Sequence, residues 1–189
     1  MVVGVLALQG DFEAHAGVLT RLGAEARIVR TPSDLDGLDA LVLPGGESTT
    51  MTLGIEREGL AGPLRELVTG GTPVLATCAG MIVLDRDHLD LLDVTTRRNA
   101  FGRQVRSFEA DLELDGIEGG PMRAVFIRAP WVEEHGADVE VLAKVDGHPV
   151  AVRQGDVTAV AFHPELTSDE RLHRLLVAAG KARPAKEPI

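Results

Sequence analysis

Short apolar runs with no helical period constrain this chain more than any other feature. Val2-Val3-Gly4-Val5-Leu6-Ala7-Leu8, Ala40-Leu41-Val42-Leu43, Pro73-Val74-Leu75-Ala76-Thr77 and residues 157–162 are each too short for an ordinary helix and too apolar for a strand with one wet face. Such runs suit strands covered on both sides, as in a parallel sheet. Ala26 to Arg30 is a further strand candidate, stopped by Pro32. Between the runs the period changes. Phe12, Ala16, Leu19 and Leu22 share one stripe of a helix over residues 11–22, with Gly23 placed to end it. Leu60 to Thr69 is helical in pattern, with Gly70-Gly71 behind it. Buried strands alternating with amphipathic helices predict an α/β fold, three-layered, with a mostly parallel central sheet flanked by helices.

The second half carries an antiparallel extension. Val105 to Leu114 alternates polar and apolar residues, the pattern of a strand with one wet face. Val139 to Val145, Asp146-Gly147 and Pro149 to Arg153 read as a hairpin with a type I′ turn. Thr167-Ser168-Asp169-Glu170 has the spacing of a capping box, opening a helix with Leu172, Leu175, Leu176 and Ala179 on its apolar stripe. Residues 1–180 are expected to form a single domain, and the Pro- and charge-rich residues 181–189 a frayed tail.

Composition narrows the function. Nineteen Lys+Arg against 29 Asp+Glu give a net charge of −10. That balance argues against sequence-independent nucleic-acid binding, which needs clustered positive charge. No apolar run approaches a membrane span, and the first residues lack a signal peptide's basic region, so a cytoplasmic location is expected. One cysteine excludes an intramolecular disulfide and a multi-Cys zinc site.

That cysteine, Cys78, is the first candidate reagent. A lone cysteine is more often an inert buried hydrophobe. Here it follows the strand 73–77 and precedes Met81-Ile82-Val83-Leu84, which suits a helix. Ala76-Thr77-Cys78-Ala79-Gly80 has the small-x-nucleophile-x-small spacing of a nucleophile elbow. A thiolate nucleophile needs a base, and the base needs an orienting group. His163-Pro164-Glu165 supplies both after the last buried strand: an extended His163 projects to the same side as Glu165, two residues on. Pro44-Gly45-Gly46-Glu47-Ser48-Thr49-Thr50 follows the strand 40–43, and its glycines allow backbone N–H groups to face an anion. The alternative is a plain strand-to-helix turn with Ser48 or Thr49 as N-cap. His88, His135, His148 and His173 read as ordinary surface or core histidines. Asp85-Arg86-Asp87-His88-Leu89-Asp90 reads as a solvated acidic loop, and no metal is expected.

Taken together, Leu8-Gln9-Gly10, Leu43 to Met51, Thr77-Cys78-Ala79-Gly80, Arg98-Asn99-Ala100-Phe101-Gly102-Arg103-Gln104, Ser107-Phe108-Glu109-Ala110, Phe126-Ile127-Arg128-Ala129-Pro130 and Phe162 to Leu166 resemble the PdxT/SNO family. These are the glutaminase subunits of pyridoxal 5′-phosphate synthase, within the class I (triad) glutamine amidotransferases. The resemblance spans residues 2 to about 180 and implies a flavodoxin-like, class I amidotransferase fold with no cofactor. It implies that Cys78 attacks the side-chain amide of L-glutamine, that His163 protonates the departing ammonia, and that Glu165 orients His163. It implies an oxyanion hole from the N–H groups of Gly46 and Ala79, and glutamine contacts from Gly46, Glu47, Ser48, Arg98, Ile127 and Arg128. It also implies a partner, a (β/α)₈-barrel synthase subunit in a complex of twelve and twelve, with Gln9 and His15 coupling docking to the oxyanion loop. The family's Gln-Gly-x-x-x-Glu-His differs here, where Ala14 precedes His15 and Glu13 stands one place earlier. The segment between Cys78 and Arg98 is shorter than in many members.

Other readings have less support. A glutaminase serving a different synthase, such as that of histidine biosynthesis, does not match the Arg98–Gln104 and Ile127–Pro130 segments. A PfpI-like cysteine-elbow domain lacks the His-x-Glu pair after a late strand. A non-catalytic scaffold does not call for an intact Cys78, His163 and Glu165.

Overall fold

The computed structural model describes residues 1–102 and 107–183. The expected strand start at Val105-Arg106, the Arg103-Gln104 end of one motif and the tail from 184 lie outside the described residues. Seven strands form the central sheet: β1 (Val2–Leu6), β2 (Glu25–Val29), β3 (Ala40–Leu43), β4 (Val74–Thr77), β9 (Glu140–Val145), β10 (His148–Gln154) and β11 (Val157–Val160). Their order is β2-β1-β3-β4-β11-β10-β9. The first five are parallel neighbours, and β10 and β9 extend the sheet antiparallel. Every residue of β3 and β4 is buried, which is why their sequences show no alternation.

Helices α1 (Phe12–Arg21) and α5 (Arg171–Ala182) pack together over one part of the sheet. Helix α4 (Ala79–Leu84) packs on β3, β4 and β11 beside α2 (Ser48–Arg57). Helix α3 (Ala61–Thr69) follows α2. The β9–β10 turn has Asp146 at φ 50° and Gly147 at φ 81°, the type I′ pattern expected of Asp-Gly. The accessible surface is 9088 Å², against roughly 8,700 Å² for a compact chain of this mass.

Two small antiparallel ladders stand outside the main sheet. They are β5 (Val94–Arg97) with β8 (Trp131–His135), and β6 (Ser107–Leu112) with β7 (Met122–Ile127). The wet-face alternation expected from residue 107 onward is present: Ser107, Glu109 and Asp111 are exposed and Leu112 is buried. Phe108 stacks on Phe126 at 4.5 Å between centroids, and Phe101 packs edge-on against Phe108, Phe126 and Trp131. These rings support the segments that carry Arg98 and Arg128.

The structure corrects four local expectations. The capping box at Thr167 does not form. The Thr167 hydroxyl donates to Pro164 O and accepts from the Asp169 N–H, while Glu170 pairs with Arg21 and Arg174, and α5 starts only at Arg171. The buried stripe of α5 is rotated. Leu172, His173, Leu176, Val177 and Gly180 face inward, whereas Leu175 and Ala179 are exposed. Helix α5 also runs past residue 180 to Ala182, and Arg183 is anchored to Thr72 and to Gly70 O. The acidic loop is not simply solvated. Asp85 is buried and accepts from the Asp87 N–H and the Thr96 hydroxyl, with His88 Nδ1 at 2.6 Å.

Close packing of β3 on α4 leaves no room at Gly80, where a Cβ would overlap the carbonyl oxygen of Leu43. Since the obstacle is backbone, Gly80→Ala is expected to destabilise the protein by roughly 3 kcal/mol, as forced overpacking does. Urea denaturation checks this, and an unchanged midpoint would refute it.

Candidate active site

Strand β4 ends at Thr77, and the next residue is held in a conformation side chains rarely adopt. Cys78 has φ 47° and ψ −106°, and α4 begins immediately after it. The turn is pinned by the Cys78 N–H, which donates to Val160 O of β11 at 2.8 Å. This is the elbow expected from the sequence. The thiol is lifted from the sheet yet stays mostly buried, its Sγ 3.9 Å from Ile127 O.

The neighbouring strand β11 leads directly to His163. The His163 N–H donates to Val125 O of β7, and its Nδ1 lies 2.7 Å from Glu165 Oε1. The expected link between the two side chains is present, but its local cause differs. Pro164–Leu166 forms a 3-10 turn rather than an extended segment, and that turn brings Glu165 back under the ring. Burial disfavours a charged His163 ring. The adjoining Cys78 sulfur and the Glu165 carboxylate outweigh burial and raise its pKa to about 10. His163 is therefore positioned to hold a proton beside the sulfur throughout the neutral range.

The third strand end is β3. Gly45 packs so closely on the site that a Cβ there would overlap the His163 ring. Gly10, at φ 96°, meets the Gly45 carbonyl backbone to backbone, so the chain entering α1 holds this loop in place. Gln9 adds a second tie, its Oε1 accepting from the Glu47 N–H. Beyond the loop, Glu47 rather than Ser48 or Thr49 caps α2. Its carboxylate accepts from the Thr50 and Thr49 N–H groups. The Thr50 N–H and hydroxyl lower its pKa to about 2. Arg98 completes this cluster, donating to Glu47 Oε1 at 2.8 Å and to Thr49 Oγ1 at 3.1 Å.

A cavity of about 210 Å³ lies between these elements, with room for a single amino acid. Gly46, Glu47, Ser48, Arg98, Ile127 and Arg128 all line it, together with Cys78, Ala79, His163 and Gln9. As the first residue of α4, Ala79 has an N–H with no partner inside the helix. Among the described residues no carboxylate pairs with Arg128, whereas Arg98 is already neutralised by Glu47. Such an arrangement can carry out nucleophilic attack on a carbonyl, with proton transfer by an oriented imidazole.

His15 does not line the cavity. It is fully buried behind it, with Nε2 3.3 Å from Glu165 Oε2 and from Thr77 Oγ1, and Nδ1 2.9 Å from Nε2 of His173. His173 and Thr77 are the residues that sequence reasoning missed. The available signal was a histidine interrupting the apolar stripe of a helix. Among the described residues no cluster of three or more His, Cys, Asp or Glu side chains could hold a metal ion. Nor is any described helix long and apolar enough to cross a membrane.

The model of the SNO glutamine amidotransferase family matches residues 5–181. Among similar curated proteins is the pyridoxal 5′-phosphate synthase subunit PdxT of Mycolicibacterium vanbaalenii, 56% identical over 94% of this chain and 96% of that protein. The PdxT subunit of Streptomyces coelicolor is 51% identical over 100% of this chain and 98% of its own length. A crystal structure described as a glutamine amidotransferase superposes with a TM-score of 0.89 at 48% identity, covering 96% of this chain and 100% of that one. PurLQS from Thermotoga maritima shares the fold, with a TM-score of 0.71 at 17% identity over 95% of this chain and 97% of that one.

The buried histidine pair makes the fold sensitive to acid. Burial lowers the His173 pKa to about 4, and burial together with His173 and His163 holds His15 well below 6.5. Unfolded histidines take up protons near pH 6.5 and the native ones do not, so stability is present above pH 6.5 and falls as the pH drops toward 4. His163 acts at the other end of the range: its stabilisation is complete below 6.5 and is lost as pH rises through about 10. Between pH 7 and pH 4 the His173 ring alone is expected to remove on the order of 3 kcal/mol. Denaturation of the native chain and His173→Leu at both pH values checks this. An equal loss in both proteins would contradict it.

Proposed function

The chain belongs to the SNO glutamine amidotransferase family, and from that premise we propose that it is a glutaminase supplying ammonia to a pyridoxal 5′-phosphate synthase. One observation carries this reading. Two adjacent parallel strands, β4 and β11, end in a strained cysteine and in a histidine already bound to a carboxylate, and the two side chains meet at one cavity. Sγ of Cys78 attacks the side-chain amide carbon of L-glutamine. The tetrahedral oxyanion is received by the N–H groups of Gly46 and Ala79. His163, carrying its proton, transfers it to the leaving nitrogen, and ammonia departs. Water activated by the now neutral His163 then cleaves the thioester to glutamate. Glu165 orients the ring and stabilises its charged form.

Gly46, Glu47, Ser48 and Ile127 border the substrate. Arg128 takes the α-carboxylate through its planar fork. Arg98 shapes the mouth through its contact with Glu47. The curated relatives are named as synthase subunits, which supports a protein partner. We infer that the partner is a (β/α)₈-barrel subunit, that the complex is a cytoplasmic lyase assembled from twelve of each chain, and that Gln9 and His15 transmit docking to the oxyanion loop. Gln9 holding the Glu47 N–H supports that last assignment.

Glutamate release measured with and without the matching synthase subunit tests the reaction and the partner together. The rate is expected to rise on mixing, and Cys78→Ala is expected to lose at least about 10³-fold while keeping its fold. Hydrolysis surviving in that variant would remove Cys78 from the mechanism, and a rate indifferent to the synthase would remove the partner. Arg128→Ala is expected to raise KM for glutamine about tenfold or more, with kcat less affected. A larger KM effect from Arg98→Ala would reverse the assignment of the two arginines.

A further inference from the structure

Helix α4 gives the site cavity one side chain that takes no part in the chemistry. Ile82 lines the cavity together with Cys78 and Ala79. It stands four residues after Cys78 and three after Ala79, on the same face of the helix. Side chains on a helix lean toward its N-terminus, so Ile82 leans toward the cysteine turn. Its neighbours in sequence, Met81, Val83 and Leu84, belong to the hydrophobic core. Ile82 is only 5% exposed, yet it stands apart from that core. A large apolar side chain is thus withheld from both water and core and lines the cavity instead.

The rest of the cavity wall has the opposite character. Cys78, Ala79, Ile82 and Ile127 apart, every described lining residue is a glycine or carries a polar side chain. Ile127 is 38% exposed and so stands toward the mouth, while the buried Ile82 forms the deeper wall beside Cys78. L-Glutamine is polar at both ends and apolar between them, where two methylenes separate the α-carbon from the amide carbon. With the amide at the sulfur and the α-carboxylate on Arg128, those methylenes cross the cavity beside Ile82. Each methylene removed from water there is worth about fourfold in affinity.

We propose that Ile82 is a specificity-determining residue of the glutaminase site: its side chain is the apolar wall that covers the two methylenes of glutamine and so selects that chain length over the shorter asparagine. The proposal rests on the reading that Cys78 attacks glutamine. Asparagine, one methylene shorter, leaves part of the wall uncovered and does not span from Arg128 to the sulfur. A homologue one methylene longer overruns the same span. A pocket of this kind discriminates a single methylene by about 10–200-fold.

The test uses the full chain with the synthase subunit present. The native chain is expected to hydrolyse glutamine with kcat/KM at least about tenfold above that for asparagine and for homoglutamine. Ile82→Ala, which uncovers the methylenes, is expected to raise KM for glutamine about tenfold with kcat within about twofold. Ile82→Leu, which restores the apolar volume, should recover most of that loss. Alkylation of Cys78 by iodoacetamide, a reagent too small to need the wall, should keep its native rate in both variants. An unchanged KM in a folded Ile82→Ala variant would overturn the proposal. So would alkylation slowed as much as hydrolysis, since Ile82 would then only support the cysteine turn. The native substrate series needs no variant to fold, and asparagine accepted as well as glutamine would overturn the proposal by itself. A native chain that hydrolyses no glutamine would instead overturn the glutaminase reading. Hydrolysis lost in Cys78→Ala but unchanged in Ile82→Ala would leave that reading standing and remove only this role.

Discussion

The left-handed backbone at Cys78 is the constraint on which the rest of the site depends. A non-glycine residue at such angles costs on the order of 1–3 kcal/mol and persists only where its surroundings over-determine it. Here the N–H of Cys78 is held by β11, α4 starts at the next residue, and Gly80 lies directly against the backbone of β3. The same three strands that impose the turn also end beside it. Their ends deliver the Gly45-Gly46 loop, the sulfur and the imidazole to one point, as open α/β sheets do at their carboxyl edge.

Charge is distributed around that point with some economy in an acidic protein. Arg98 is bound to a carboxylate that also caps α2, so it serves as a structural strut at the rim. Arg128, whose own backbone is left-handed at φ 46°, lines the cavity without an acidic partner among the described residues. Two arginines of the same type thus have different surroundings, and the difference lies in what already occupies each fork.

Much of this was legible in the sequence, for identifiable reasons. The parallel strands could be read because burial on both faces leaves continuous apolar runs. The elbow and the His-Pro-Glu segment could be read because each is local, with its spacing set by the backbone. Helix α2 was harder, since Ser48-Thr49-Thr50-Met51-Thr52 has weak helix propensity and the helix depends on the Glu47 cap. Strands β5 and β8 pair in a small ladder across more than thirty residues of sequence. The capping-box pattern at Thr167 misled because an adjacent 3-10 turn took the hydroxyl. His173 was invisible for a similar reason. Its meaning comes from His15, 158 residues earlier, and no local spacing encodes that contact.

The site is therefore assembled from distant parts of the chain, from Gln9 to Glu165. Strand β11 enters the sheet between β4 and β10 and carries the imidazole and its carboxylate, and α5 follows it. Domains fold as units while synthesis proceeds from the N-terminus. The Cys78 turn needs β11 in place, since Val160 O holds its N–H, and the imidazole follows only three residues after that strand. The strained turn at the cysteine and the imidazole beside it are therefore completed together, when β11 enters the sheet.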